Sequence, residues 1–263
     1  MGQNITIKDT NSGDYFYREA IKTLRANIQF AGRRRHSILI TSVFSSEGKT
    51  DTSVHLAMEM AGAGKKVLLV DADIRNSLLL DRLEVAQTVS GLSEFLSGQV
   101  ETKEEIIYHT NQENLDIIFA GAYAPNSAEM LSDLQFEELI KEEEKNYDYI
   151  FVDSPPLGQV IDAAMIAQYC NGVILVIESG AVSYRAAQKV KDQLERTGCT
   201  ILGVVLNRVE RTGNIRYGGK YGKYGKYGKY GKYGHYGKYG KYGEDKMNAA
   251  QTNPTMEREK SVE

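Results

Sequence analysis

The sequence predicts an α/β protein with a doubly wound, mainly parallel sheet flanked by helices. Unbroken runs of Val, Ile and Leu recur along the chain, as expected for strands that are buried on both faces of a parallel sheet. Amphipathic segments of helical length alternate with these runs, and such alternation is typical of the doubly wound architecture. In folds of this class the ligand lies at the carboxyl ends of the strands.

The predicted elements alternate from the N-terminus onward. A helix over roughly residues 14–30 precedes the first strand. Strands are expected at residues 37–42, 67–71, 115–120, 149–153, 172–178 and 201–207. Helices are expected between them at residues 50–63, 129–145, 161–169 and 183–197.

Composition excludes several classes of protein. With 263 residues, 41% of them hydrophobic and 25% charged, the chain can form one α/β domain of ordinary size plus an appendage. No stretch approaches the roughly 20 apolar residues that a membrane-spanning helix needs. The N-terminus lacks the apolar core of a secretory signal. The two cysteines and four histidines share no metal-ligand spacing. A cytoplasmic protein is therefore expected.

The net charge of −3 conceals a strong asymmetry. Residues 216–243 contain one arginine, seven lysines and no acid, so this segment carries +8 and the remainder carries −11. The segment repeats a Tyr-Gly-Lys triplet and has no aliphatic residue, so it cannot bury a core. We therefore predict an N-terminal helical segment at 1–36, a folded domain at 37–210 and a disordered tail at 211–263.

A phosphate-binding loop is predicted in SVFSSEGKTDTS, residues 42–53, between the first long strand and a helix. Val43 stands where the pattern G-x-x-x-x-G-K-[ST] has its first glycine. In such loops the backbone N–H groups face an anion, the lysine neutralises phosphates and the hydroxyl binds Mg²⁺. The candidate nucleotide-binding residues of this loop are Ser45, Ser46, Glu47, Gly48, Lys49, Thr50 and Asp51.

Two further strands end in acidic residues. VLLVDADIR (67–75) ends in Asp71 and Asp73, which point to the same side of an extended chain, and Arg75 follows. YIFVDSPP (149–156) ends in Asp153, an acid placed to orient Mg²⁺. Three strand ends around one lysine predict a nucleotide site, with Thr50, Asp71 and Asp153 as the candidate metal ligands.

The combination of these motifs resembles the bacterial tyrosine kinases (BY-kinases) of capsular and exopolysaccharide synthesis, which are deviant-Walker, MinD-like P-loop NTPases. The loop is similar to their Walker A motif, VLLVDADIR to their D-x-D-x-R motif (Walker A′) and YIFVDSPP to their Walker B motif. AGAYAPNSAEML (120–131) is similar to their G-x-x-P-P-N-P-x-E-L-L segment. The resemblance spans residues 17–209, and the D-x-D-x-R strand and the tyrosine-rich C-terminus are its specific parts.

This resemblance implies an ATP-dependent protein-tyrosine kinase that phosphorylates its C-terminal tyrosine cluster in trans and regulates polysaccharide synthesis and export. The expected cofactors are ATP and Mg²⁺. The expected phosphoacceptors are Tyr217, Tyr221, Tyr224, Tyr227, Tyr230, Tyr233, Tyr236, Tyr239 and Tyr242.

Catalytic roles are assigned to the residues at the strand ends. Lys49 is expected to stabilise charge on the outer phosphates, with Thr50 and Asp153 holding the metal. A base near the tyrosine hydroxyl assists transfer, and Asp71 is the first candidate. The remaining assignments are Asp73 to metal or substrate positioning, Arg75 to phosphate or loop structure, and Asn207 to the adenine edge.

The resemblance also implies partners. Glu19, Lys22 and Arg25 stand where the family has E-x-x-R-x-x-R, a subunit contact, and Lys22 keeps the charge but loses the bidentate fork of arginine. A homo-oligomeric ring is expected. So are a transmembrane polysaccharide co-polymerase as activator, a cognate protein-tyrosine phosphatase and protein substrates of polysaccharide synthesis. The protein is expected in the cytoplasm, at the inner face of the cell membrane through its activator, and no nucleic-acid partner is expected.

Two alternatives remain open. Partitioning and division-site ATPases share this fold, but their loop carries a second lysine five residues before the main one, where Phe44 stands here. A non-catalytic nucleotide-binding scaffold that displays the charged tail is the other alternative.

Two loop residues are expected to affect the affinity for nucleotide. Ser46 costs roughly 1 kcal/mol if its φ is positive. Asp51 suits a helix N-terminus but opposes the phosphates.

Overall fold

The computed structural model describes residues 3–8, 14–32 and 36–210. The tail prediction and all nine predicted acceptor tyrosines lie outside the described residues. Within these ranges the chain forms eight strands that belong to one sheet. The strands are β1 (Gln3–Ile5), β2 (Ser37–Ser42), β3 (Val67–Asp71), β4 (Ile107–Thr110), β5 (Leu115–Ile118), β6 (Tyr149–Asp153), β7 (Gly172–Glu178) and β8 (Ile201–Asn207).

Eight α-helices connect these strands in the described part of the chain. They are α1 (Tyr15–Phe30), α2 (Lys49–Gly62), α3 (Leu79–Arg82), α4 (Leu92–Leu96), α5 (Ser127–Leu131), α6 (Leu134–Glu143), α7 (Asp162–Ala167) and α8 (Tyr184–Arg196). A short 3₁₀ helix covers Lys103–Glu105. Side chains cap several of these helices, as Asp14 does at the start of α1 and Ser183 at the start of α8.

The strand order in the sheet is β1-β4-β5-β3-β6-β2-β7-β8. Every neighbouring pair is parallel except β4 and β5, which form an antiparallel hairpin. The central strands β2, β3 and β6 are buried along nearly their whole length, because helices cover both faces of the sheet. The prediction of a doubly wound, mainly parallel fold is confirmed.

Successive residues of the central strands feed two separate hydrophobic cores. Ile38 and Ile40 belong to one core together with α1, α2 and α3, whereas Leu39 belongs to the other together with α4–α8. This division follows from the period of two in an extended chain. The two hydrophobic cores thus hold the central strands in place from both faces of the sheet. The candidate site lies at the carboxyl ends of these strands.

Two sequence predictions about the elements are wrong in detail, and the short elements β1, β4, α3 and α4 were not predicted. The single helix expected over residues 129–145 is two helices, α5 and α6, because Asp133 adopts an extended backbone and caps α6 through a hydrogen bond from the Gln135 amide. The strand expected over residues 115–120 ends at Ile118. Strands β1 and β4 were not predicted, since each is too short to show a clear hydrophobic period.

None of the helices in the described ranges combines the length and the apolar character required to cross a membrane.

Candidate functional site

A cavity of about 690 Å³ opens at the carboxyl edge of the sheet, where β2, β3 and β6 end. The strand order places these three ends side by side, since β6 pairs with both β2 and β3. The predicted site residues that line the cavity are Ser45, Ser46, Gly48, Lys49, Thr50, Asp51, Asp71, Asp73, Arg75 and Asp153. Two predicted nucleotide-binding residues, Glu47 and Asn207, are not among the lining residues.

The phosphate loop turns at two residues with left-handed backbone. Gly48, which immediately precedes α2, has a φ of 90°, and Ser46 has a φ of 64°. Val43 has no such conformation and is buried against the core. The missing glycine at position 43 is therefore compatible with the loop. The φ of Ser46 is positive, so this serine carries the backbone strain of roughly 1 kcal/mol that the sequence predicted for a positive φ at this position.

Glu47 and Asn207 support the loop from behind. The buried Glu47 carboxylate accepts hydrogen bonds from the Val43 amide (2.7 Å) and the Phe44 amide (2.9 Å). The Asn207 side-chain amide donates to the Glu47 carbonyl oxygen at 2.9 Å. A Cβ atom at Gly48 would lie 2.0 Å from Asn207 Nδ2, so any other residue there would require Asn207 or the loop to shift. The adenine-edge role of Asn207 stays a prediction.

Lys49 is buried at the floor of the cavity among carboxylates. Its Nζ lies 3.3 Å from Asp73 Oδ2 and 3.7 Å from Asp153 Oδ2. Burial by itself lowers the pKa of Lys49, but the charges of Asp153, Asp73 and Asp71 outweigh it and the pKa is raised. Lys49 is therefore a fixed cation at the end of the phosphate loop.

Asp71 and Asp153 are the most buried carboxylates of the site. The Asp73 amide and the Ser77 hydroxyl donate to the two oxygens of Asp71. Burial, followed by the nearby charge of Asp153, raises the pKa of Asp71 to about 7. Burial also raises the pKa of Asp153, against the opposing effect of Lys49. The pKa of Asp71 in the metal-free site is therefore well above that of an ordinary carboxyl group.

The donor set at this edge fits Mg²⁺. The Thr50 hydroxyl donates to Asp153 Oδ2 at 2.6 Å, so a hydroxyl and a carboxylate oxygen lie together beside the phosphate loop. Mg²⁺ prefers oxygen ligands and typically binds one or two protein carboxylates, with substrate phosphates and water completing its shell. Within the described ranges, no three His, Cys, Asp or Glu residues are grouped to hold an ion by themselves.

Comparisons with known proteins identify the family of the chain. A family model described as an AAA domain matches residues 38–199. The tyrosine-protein kinase CpsD of Streptococcus pneumoniae serotype 4 is 43% identical to the chain over 200 residues, covering 76% of this chain and 87% of that protein. The chain belongs to the bacterial tyrosine-kinase family. The resemblance seen in the sequence is confirmed.

Two solved structures share the architecture of this chain. The crystal structure of the chimerical protein CapA2B2 aligns with a TM-score of 0.71 at 29% identity, covering 80% of this chain and 96% of that one. The septum site-determining protein MinD of Pyrococcus horikoshii, solved with Mg-ADP, aligns with a TM-score of 0.59 at 29% identity. It covers 68% of this chain and 72% of that one. The P-loop fold implies nucleotide binding.

In this BY-kinase, Arg75 is tied to an acid that the sequence did not single out. Its guanidinium Nε donates to Asp162 Oδ2 at 2.8 Å and Nη2 donates to Asp162 Oδ1 at 3.3 Å. Asp162 is fully buried and also accepts a hydrogen bond from the Ser127 hydroxyl, while Arg75 Nη1 donates to the Pro125 carbonyl oxygen at 3.3 Å. Arg75 therefore joins the D-x-D-x-R strand to α7 and to the segment at 120–131.

Two serines of the BY-kinase site were missed by sequence reasoning. Ser53 donates to Asp153 Oδ1 at 3.0 Å from one helical turn beyond Lys49, a spacing that the sequence does show. Ser77 donates to Asp71 from the loop before α3, and no pattern in the sequence indicates this contact.

The predicted oligomer-contact residues lie on α1, which packs against α2. Glu19 and Lys22 pair with each other at 2.8 Å on the helix surface. Arg25 faces Glu59 of α2 at 3.7 Å. Tyr17, also on α1, forms a 3.0 Å hydrogen bond with His55 of α2. The role of Glu19, Lys22 and Arg25 in subunit contact stays a prediction.

Proposed function

We propose that the chain is an ATP-dependent protein-tyrosine kinase that phosphorylates the tyrosine cluster of its own C-terminal segment in trans. One observation carries this proposal. Lys49 lies between Asp73 and Asp153 and near Asp71, at the floor of a 690 Å³ cavity, in a chain of the bacterial tyrosine-kinase family. A cation and a base beside a phosphate loop are the parts that phosphoryl transfer needs.

The chemistry assigns a role to each residue. Loop N–H groups and Lys49 bind the phosphates, and Thr50 and Asp153 would hold Mg²⁺. When bound, Mg²⁺ neutralises charge on the β- and γ-phosphates. The acceptor oxygen of tyrosine forms a bond to the γ-phosphorus, the bond to the β–γ bridging oxygen breaks, and ADP leaves.

Asp71 takes the tyrosine proton. A pKa of about 7 suits a base that works near neutral pH. Asp73 holds Lys49 through its Oδ2, at 3.3 Å from Nζ, and thereby positions the cation. Arg75, bound to Asp162, keeps the neighbouring loop in place and stays a candidate for phosphate contact.

The wider role follows from the family. We place the kinase in the control of capsular or extracellular polysaccharide synthesis and export. It would act as a homo-oligomer at the inner face of the membrane, bound to a transmembrane co-polymerase, with a phosphatase reversing the modification. Each phosphate adds about −1.5 to −2 charge. About five would therefore turn the +8 segment anionic and change what it binds.

Phosphotyrosine immunoblotting with ATP and Mg²⁺ tests the activity. The wild type should be labelled, more strongly with a cytoplasmic activator peptide, and Lys49→Met should not. If the wild type is not labelled even with the activator present, the kinase proposal is contradicted and the non-catalytic scaffold remains as the alternative.

Mixing two variants tests transfer in trans. A chain with all nine tail tyrosines changed to Phe would serve as the kinase, and a size-tagged Lys49→Met chain would serve as the acceptor. Labelling of the tagged chain is expected. Its absence, with an active wild type, would restrict transfer to one chain.

A further inference from the structure

Asp51 places a negative charge on the wall of the cavity that binds nucleotide in the proposed function. It is the third residue of α2, directly after Lys49 and Thr50, and its side chain is 29% exposed. An acid in the first turn of a helix stabilises the helix. The same helix end is where the phosphates of a nucleotide dock, so the bare carboxylate would repel them.

Arg82 meets this carboxylate from another element. Its Nη2 donates to Asp51 Oδ1, and both side chains line the cavity. Arg82 ends the short helix α3, whose neighbours Leu79 and Leu83 are buried in the core. The guanidinium therefore reaches Asp51 from an anchored segment. Of the ion pairs in the described part of the chain, this is the one that Asp51 forms.

We propose that Arg82 is a positioning residue for nucleotide binding, which acts by cancelling the charge of Asp51 and stays bound to it when ATP occupies the site. This inference rests on the proposed function. It explains how the loop tolerates an acid beside Lys49 and Thr50. In this proposal Arg82 does not contact phosphate itself. It matters for nucleotide binding only because Asp51 is present.

The Asp51–Arg82 ion pair contributes little to the stability of the fold. Arg82 is 44% exposed, and ion pairs that are open to water contribute little to folding. Loss of Arg82 should therefore lower the affinity for nucleotide, because the uncompensated Asp51 carboxylate then repels the phosphates. The free energy of unfolding should barely change.

A double-mutant cycle tests the proposal in the full-length chain. Calorimetric titration with MgATP and MgADP would compare the wild type, Asp51→Asn, Arg82→Gln and the double variant. Arg82→Gln should weaken ATP binding about five- to tenfold, and ADP binding less, because fewer phosphate charges are repelled. Asp51→Asn should bind at least as tightly as the wild type. The double variant should return to within about twofold of the wild type.

A matched pair on α8 provides the control. Lys191 and Glu195 form an exposed ion pair far from the loop in sequence, and Lys191→Gln should leave both affinities unchanged. Three results would overturn the inference. A double variant as weak as Arg82→Gln would show that Arg82 contacts the nucleotide itself. Wild-type affinity in Arg82→Gln would show an ordinary surface pair. A wild type that binds neither nucleotide would refute the proposed function, and this inference with it.

Discussion

Asp71 and Asp153 occupy paired positions on the neighbouring strands β3 and β6, and both are almost completely buried. Two carboxylates held side by side away from water oppose each other's ionisation. Lys49 lies 3.7 Å from Asp153 and relieves this repulsion in part. In the proposed kinase, the same arrangement supplies a base and a metal ligand from adjacent strands.

The stability of the metal-free protein should depend on Asp71 and pH. The folded pKa of about 7 exceeds the ordinary 3.8, so the folded state binds the proton more tightly. That stabilisation is complete below about pH 4 and is lost as the pH rises through 7. Removing the carboxylate with Asp71→Asn should therefore help most at high pH. The stability of the variant relative to the wild type should rise by roughly 2–3 kcal/mol between pH 5 and pH 8.

Urea denaturation with a chelator present measures this difference at each pH. Gln99→Ala, at an exposed position without a titratable side chain, is the control and should differ from the wild type by the same amount at both pH values. An equal difference for Asp71→Asn at pH 5 and pH 8 would contradict the predicted titration.

Ser46→Gly should stabilise the phosphate loop. The φ of 64° places Ser46 in the left-handed region, where glycine pays no steric penalty. The free energy of unfolding should rise by about 1 kcal/mol. Ser45→Gly is the matched control, since Ser45 is the adjacent loop serine without a positive φ, and this change should lower stability slightly. Equal effects of the two changes on the denaturation midpoint would argue against strain at Ser46.

Gly48→Ala should disrupt nucleotide binding. The new Cβ would lie 2.0 Å from Asn207 Nδ2, so either the loop or the Asn207 side chain must move, and the φ of 90° adds strain. Affinity for MgADP should fall at least tenfold, roughly 1.4 kcal/mol. Gly62→Ala, at the end of α2 where an added Cβ meets no atom within 4 Å, should bind normally. Normal binding by Gly48→Ala would mean that the loop adapts.

Arg75→Ala should lower the free energy of unfolding, independently of any effect on phosphoryl transfer. It leaves the fully buried Asp162 carboxylate with the Ser127 hydroxyl but without its cation, at a cost of about 2–3 kcal/mol. The double variant Arg75→Met/Asp162→Asn should lose less than the sum of the single changes. Arg185→Ala on the exposed face of α8 should stay within about 0.5 kcal/mol of the wild type. Additive losses in urea denaturation would show that Arg75 and Asp162 act independently.

Much of the fold was predictable because its signals are local. The hydrophobic runs that became β2, β3, β6 and β7 have the predicted bounds, since a strand that is largely covered on both faces is apolar along most of its length. The edge strand β8 also has its predicted bounds, although Val204 and Leu206 on it are more than half exposed. The elements that escaped prediction are short or broken by a capping residue, as at Asp133 between α5 and α6. In these places a few polar contacts outweigh the hydrophobic period.

The sequence by itself determined the chemistry available at the site, namely a lysine and a threonine at the start of α2 and three aspartates at or just beyond the ends of β3 and β6. The tertiary structure decided which of these groups meet. The strand order puts Asp71 beside Asp153, brings Asp162 to Arg75 across 87 residues, and sets Asn207 behind Gly48. The physical reason is that hydrophobic periodicity fixes which side of a strand is buried but does not encode its neighbour. Contacts between polar groups far apart in the chain arise only when the strands assemble.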